Sequence, residues 1–142
     1  MRSLPKCLWF LLFAAAALPA QAEMQGGLWN LTVTMKVDGS AKPFGPYSQS
    51  QCFTQADLQD PGKLFAEGDN AVCEYVNKRY YANQITFNIR CGGGIPLGGT
   101  GEVEFGRDAF EGHMDLGANA EGGPTVETHS QVSGKRAGPC QE

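Results

Sequence analysis

From Gly27 the chain reads GLWNLTVTMKVDGS, with Trp29, Leu31, Val33, Met35 and Val37 at every second position and Asn30, Thr32, Thr34 and Lys36 between them. Successive side chains of an extended strand point to opposite faces. One face of this segment is therefore apolar and the other polar, the period of a half-buried strand and not of a helix. Asp38-Gly39 follows as a turn signal. The alternation returns in QITFNIRC, where Ile85, Phe87, Ile89 and Cys91 face one way and Thr86, Asn88 and Arg90 the other. A weaker strand runs from Phe44 to Phe53, and AVCEYVNKRYY, GTGEVEF, AFEGHMDL and PTVETHSQVSG complete the set. Turn signals fall at Ala82-Asn83, at Gly106-Arg107-Asp108 and from Gly117 to Pro124. Short strands at regular spacing predict an all-β fold: an antiparallel meander of about seven strands, as a curved sheet, an open barrel or a sandwich.

One stretch, FTQADLQDPGKLFAEGDN, breaks the pattern. Thr54 with Asp57 three residues on resembles a helix-capping box, Pro61 stops that first turn, and Gly68 ends a second around Lys63 to Ala66. This gives one short helical segment near 54–66.

The first 22 residues, MRSLPKCLWFLLFAAAALPAQA, carry Arg2 and Lys6, then an apolar run from Leu8 to Leu18, then Ala20-Gln21-Ala22. This is the order of a cleavable secretory signal, so the mature domain is expected to span 23–142, starting at Glu23. The apolar run is short for a membrane span. Cys7 precedes it, where no lipoprotein attachment would lie. The expected address is the periplasm.

Charge narrows the partners. The chain has 11 basic and 15 acidic residues, and two of the basic ones fall in the signal, leaving 9 against 15 and a net charge of −6. Such a surface repels phosphate backbones and anionic lipid, so neither nucleic acid nor membrane is an expected partner.

With Cys7 removed, four cysteines remain: Cys52, Cys73, Cys91 and Cys140. An even set in an exported chain predicts two disulfides, and the absence of a CxxC motif argues against redox exchange or a zinc ribbon. A two-residue turn at 82–83 places Cys73 opposite Gly92 and turns Cys91 to the other face, whereas a three-residue loop would set the two cysteines opposite each other. The first register favours Cys52–Cys73, over the helical excursion, and Cys91–Cys140, tying down a final strand that would otherwise fray. Lys135 and Arg136 read as a solvated strand end.

Candidate chemistry is sparse. CGGGIPLGGTGEVEFG lacks the helix that a phosphate loop should open, so its glycines read as a loop or as bulges. Glu102, Glu104, Asp108, Glu111, His113 and Asp115 form an acid-rich hairpin. Paired carboxylates there would suit glycosidase or calcium chemistry, but alternating polar residues are what the wet face of a sheet requires. His113 and His129, the two histidines, fall on polar faces; as neighbours across the last hairpin they could form a metal pair or pH sensor, but exposed strand histidines are the commoner reading. No GxSxG motif is present. No catalytic residue, metal ligand or cofactor is expected. The apolar stripe of Trp29, Leu31, Val33, Phe87, Phe105, Phe110 and Met114 is a core or, if the sheet stays open, an apolar pocket.

Several short motifs together carry a resemblance: Gly27-Leu28-Trp29 opening a strand, Gln51-Cys52-Phe53-Thr54 before the helical segment, Cys73 and Cys91 bracketing a hairpin, Gly99-Thr100-Gly101-Glu102, and the closing Ser133-Gly134-Lys135-Arg136-Ala137-Gly138-Pro139-Cys140. In this order the chain resembles the bacterial domain-of-unknown-function family 3617, over nearly all of the mature domain. The resemblance implies a small exported protein of proteobacterial type and supplies no catalytic residues. The functional expectation is a non-enzymatic periplasmic β domain that binds an apolar small molecule or an envelope protein. An alternative is an inhibitor or accessory subunit of an envelope enzyme, acting through the loop from Gly92 to Gly99.

Overall fold

The computed structural model describes residues 23–65, 73–93, 97–118 and 126–141. The expected signal peptide, the turn at Gly68 and much of the stretch from Gly117 to Pro124 lie outside the described residues. Seven strands form: β1 (Gly27–Val37), β2 (Phe44–Phe53), β3 (Cys73–Tyr80), β4 (Gln84–Cys91), β5 (Leu97–Phe105), β6 (Ala109–Ala118) and β7 (Val126–Gly138). They make one antiparallel sheet in the order β2-β1-β7-β6-β5-β4-β3. The strands form one sheet, not the two of a sandwich, and it does not close: β2 and β3 are its two edges.

The strand order explains the helical interruption. β2 and β3 are consecutive in sequence but lie at opposite edges, so the chain between them must pass from one side of the sheet to the other. A 3-10 turn (Asp57–Gln59) and a short helix α1 (Pro61–Leu64) lie on that connection. Leu58, Pro61, Leu64 and Phe65 are buried, and the apolar residues among them join the core. Thr54 and Asp57 form the reciprocal box: the Thr54 N–H and hydroxyl both donate to Asp57 Oδ2, at 2.8 and 2.7 Å, and the Asp57 N–H donates to Thr54 Oγ1 at 3.2 Å. Pro61 does more than end the first turn. It opens α1 at a position where the missing N–H costs nothing, and the carboxylate of Asp60 accepts from the Gly62 N–H at 3.0 Å.

The core lies on one face of the sheet. Trp29, Leu31, Ile85, Phe87, Ile89, Val103, Phe110, Met114 and Val132 come from five strands and are buried together with Met24, Phe53 and the helical residues. Trp29 and Phe110 are 5.5 Å apart by ring centroid, Phe65 and Phe87 6.0 Å, and Tyr75 and Phe87 5.2 Å. Glycines make room for these rings. Gly101 and Gly134 lie directly opposite Phe87 and Phe110, and Phe65 sits over Gly112.

The disulfides differ from the expected pairing. They join Cys52 to Cys140 and Cys73 to Cys91. The two-residue turn at Ala82-Asn83 does form, with the Tyr81 N–H donating to the Gln84 carbonyl at 2.8 Å and Tyr80 opposite Ile85. A register shift between Val76 and Arg79, where Asn77 has φ of 52°, then moves β3 by one residue. That extra residue brings Cys73 directly opposite Cys91. A bulge adds one residue to one strand and so reverses the facing of everything beyond it.

The terminus is also held differently. β7 is an interior strand between β1 and β6, so its ladder is satisfied on both sides. Cys140 reaches past the start of β1 to Cys52 near the end of β2, where Leu28 pairs with both Gly138 and Cys52. Arg136 is not a solvated strand end: its Nε donates to the Gly26 carbonyl at 3.0 Å and it is half-buried. Lys135 is exposed.

Candidate functional site

The apolar stripe is packed. Trp29, Leu31, Ile85, Ile89 and Val103 are each at most 1% exposed. Of the residues expected to be core or pocket, Trp29, Leu31, Phe87, Phe110 and Met114 are buried, and Val33 and Phe105 pack partly buried against them. Leu58, Leu64 and Phe65 of the helical connection pack into this core.

Its cover ends before the stripe does. At the far end of β1 and β2 the same face is open. Val33 pairs with Tyr47 and Met35 with Phe44, so these four side chains share one patch. Phe44 is 51% and Tyr47 63% exposed, and Met35 is 39%. The sequence put Met35 in the apolar stripe but gave no reason to expect it uncovered. What decides its exposure is where the helical connection lies, and alternation carries no information about that.

The two edges differ in chemistry. β3, CEYVNKRY, carries Glu74, Lys78 and Arg79 and the bulge at Asn77. Charge and bulges are the usual guards of an exposed strand edge. β2, FGPYSQSQCF, has no charged residue over its whole length and is exposed from Phe44 to Ser50. Gly45, at φ of 98°, and Pro46 irregularise only its first turn. From Tyr47 to Phe53 the register with β1 is unbroken, so one side of a regular backbone ladder has no partner strand among the described residues.

The opposite face of the sheet is polar. Glu102 lies directly across from His113, with Oε1 3.6 Å from Nε2, and Gln84 donates to the other Glu102 oxygen at 3.3 Å. Glu102 and His113 border a groove of about 440 Å³ with Thr32, Thr34, Glu104, Glu111, Gln131 and Ser133. On the other side they border a hollow of about 660 Å³ reaching Arg79, Thr86, Asn88 and Thr100. Both hollows are open and lined mostly by polar side chains, the character of the wet face of a sheet.

The two histidines do not stand across from one another. His113 pairs with Gln131, and His129 with Asp115, one strand position-pair further along. Each meets an acid instead. His129 Nδ1 is 2.6 Å from Asp115 Oδ1, and its Nε2 is 3.5 Å from Asp38 Oδ1. The hydrogen bond to Asp115 raises the pKa of His129 above the ordinary imidazole value, against desolvation, and the charges of Asp115, Asp38 and Glu127 add to the rise. Asp38, Glu127 and His129 bring one ligand atom each within 4.8 Å of one another. Asp38 was read from sequence only as a turn residue. Its meeting with β7 depends on β1 pairing with the last strand, which no local pattern announces.

No helix among the described residues is long and apolar enough to cross a membrane. No curated protein and no solved structure matches the chain. A family model does match, over residues 24–140, from the strand-opening segment through the terminal cysteine and so across both disulfides and all seven strands. The chain belongs to the family described as protein of unknown function DUF3617.

Proposed function

We propose that this chain is an exported, non-catalytic binding domain of the periplasm, and that it takes an extended segment of another envelope protein at its β2 edge. The observation that carries the reading is the contrast between the edges: β3 is charged and bulged, whereas β2 is uncharged, regular from Tyr47 to Phe53, and flanked by exposed Phe44 and Tyr47. Added strands gain main-chain hydrogen bonds from an edge and side-chain specificity from the pockets beside it. Aromatic residues are the side chains that interfaces favour at their centres. The signal-like N-terminus and the two disulfides support export. The packed stripe weighs against enclosed carriage of an apolar small molecule. An accessory or inhibitory role would use the same edge, and the net negative charge favours a basic partner.

A photoreactive amino acid at Gln49, in cells, tests this. The expected product is a crosslink to one contiguous segment of a different envelope protein, abolished by Tyr47→Lys and absent when the probe sits at Glu74 on the β3 edge. Crosslinks only to a second copy of this chain, equal products from both edges, or no product at Gln49 would each overturn the reading.

A further inference from the structure

The meeting of Asp38, Glu127 and His129 lies apart from the β2 edge and has a chemistry of its own. Two elements build it. Asp38 begins the turn after β1, and Glu127 and His129 lie two residues apart on β7, on one face. The backbone fixes the turn to the strand, because the Asp38 N–H donates to the Glu127 carbonyl at 2.9 Å.

The two nitrogens of His129 are in different situations. Nδ1 makes a short hydrogen bond to Asp115 across β6, at 2.6 Å. Nε2 stands 3.5 Å from Asp38 Oδ1, longer than the charge-assisted hydrogen bonds of about 2.7–2.9 Å that such a pair can make. With Nδ1 turned to Asp115, Nε2 is the ring nitrogen on the Asp38 side. A tetrahedral ion with bonds of about 2.1 Å holds its ligand atoms about 3.4 Å apart, close to the 3.5 Å between Nε2 and Asp38 Oδ1. All three ligand atoms already lie within 4.8 Å, and the side chains are surface ones that can adjust. Asp115 occupies the outer position that orients metal-binding histidines in carboxylate–histidine–metal arrangements.

We propose that Asp38, Glu127 and His129 bind one divalent transition-metal ion, of which zinc is the best match, with Asp115 as the positioning residue for the imidazole. Nitrogen with two carboxylates and no thiolate suits zinc better than softer ions, and the half-exposed position leaves a water in the fourth place. Lys36 is directly opposite His129 on β1 and is the cation that competes with the ion. His113, facing Glu102 on the same sheet face, is the internal control, since among the described residues no such trio of ligand atoms forms around it.

The test is a titration of zinc chloride into the disulfide-intact protein after chelator treatment, read by calorimetry and by the imidazole resonances of the two histidines. One ion per chain is expected, with the His129 resonances shifting and those of His113 unmoved. His129→Gln and Asp38→Asn should each weaken binding at least tenfold, and Asp115→Asn about 10–100-fold, the usual effect of losing an outer partner. Lys36→Gln should tighten it, and His113→Gln should leave it unchanged. The proposal is overturned if zinc does not saturate at one equivalent, if His113 shifts in place of His129, or if His129→Gln binds as the wild type does. The resonance measurement needs no variant, so an unfolded substitution does not shield the idea.

Discussion

Phe87 stands directly opposite Gly101 across β4 and β5, and a β-carbon at Gly101 would lie 2.5 Å from the Phe87 Cζ. The ring occupies the volume that any other residue at position 101 would use. The carbonyl of His113 closes in from the other neighbouring strand, at 2.9 Å from the same point, so backbone as well as side chain would have to shift. Gly101→Ala is therefore expected to destabilise the fold by about 1–3 kcal/mol, the range for overpacking a closed core. Urea denaturation measures it. In a double-mutant cycle with Phe87→Leu, the cost of Gly101→Ala should shrink. Equal costs in both backgrounds would mean that the ring does not fill that space.

The two disulfides close loops of different size, 88 residues for Cys52–Cys140 and 18 for Cys73–Cys91. In the chain-entropy account, a loop of 15 residues is worth about 3 kcal/mol and one of 100 about 4.7. The Cys52→Ser/Cys140→Ser protein should thus lose roughly 1.4 kcal/mol more than Cys73→Ser/Cys91→Ser. Denaturation of the two variants measures the difference, and non-reducing peptide mapping of the wild type should yield the 52–140 and 73–91 peptides.

The disulfide pairing also marks where sequence reading stopped. Alternation in β1 and β4, and the turns at 38–39, 82–83 and 106–108, were legible because each is a local choice of face or dihedral. The bulge at Asn77 was not. Nothing in EYVNKRY marks one residue as extra, yet that one residue decides whether Cys73 meets Cys91. The meeting of Asp38, Glu127 and His129 failed to show for a different reason. Asp38 and His129 are 91 positions apart and meet only because β1 docks beside β7. The exposed edge patch was invisible because Met35 belongs to the same stripe as buried Trp29 and Leu31.

Solvent exposure at Phe44 and Tyr47 has a consequence for stability. Phe44→Ala and Tyr47→Ala remove side chains that are half or more exposed, and each should stay within about 0.5 kcal/mol of wild type if the patch serves binding and not folding. Leu31→Ala, in the same β1–β2 hairpin but fully buried, should cost about 2–5 kcal/mol. Thermal or urea melts of the three variants separate the roles. A large loss at Tyr47 would show that the patch is covered in the folded protein.

Asp57 supplies a pH dependence. Hydrogen bonds from the Thr54 side chain and backbone hold its pKa below the ordinary carboxylate value, with a smaller contribution from Lys63 and opposition from desolvation. A carboxyl whose folded pKa is depressed adds stability above its unfolded value of about 3.9, and that stability disappears as pH falls through the folded value. Asp57→Ala should therefore lower stability near neutral pH by about 1 kcal/mol, as loss of a cap does, and make little difference well below the folded pKa. Melts at neutral and strongly acid pH, on both proteins, give the comparison. A gap of the same size at both pH values would assign the effect to packing.

Arg136 and Cys140 secure different things, and hydrogen exchange distinguishes them. β7 is paired on both sides, so Cys140→Ser should leave protection intact at residues 126–133. It should be lost where the bridge acts, at Gln51–Phe53 on the edge strand and at 136–138. Arg136→Ala acts at the same end of the sheet but on a different segment, the one that leads into β1. Its Nε holds the Gly26 carbonyl, just before β1 and beside buried Met24. Hydrogen bonds to charged groups contribute about 1.5–3 kcal/mol, and partial exposure places this one toward the lower end. Exchange should rise at residues 24–28. Lys135 is exposed and makes no comparable contact among the described residues, so Lys135→Ala should change stability by no more than about 0.5 kcal/mol. If Cys140→Ser instead opened residues 126–133, β7 would depend on its covalent tether and not on its two neighbouring strands, and the interior placement of the last strand would be wrong.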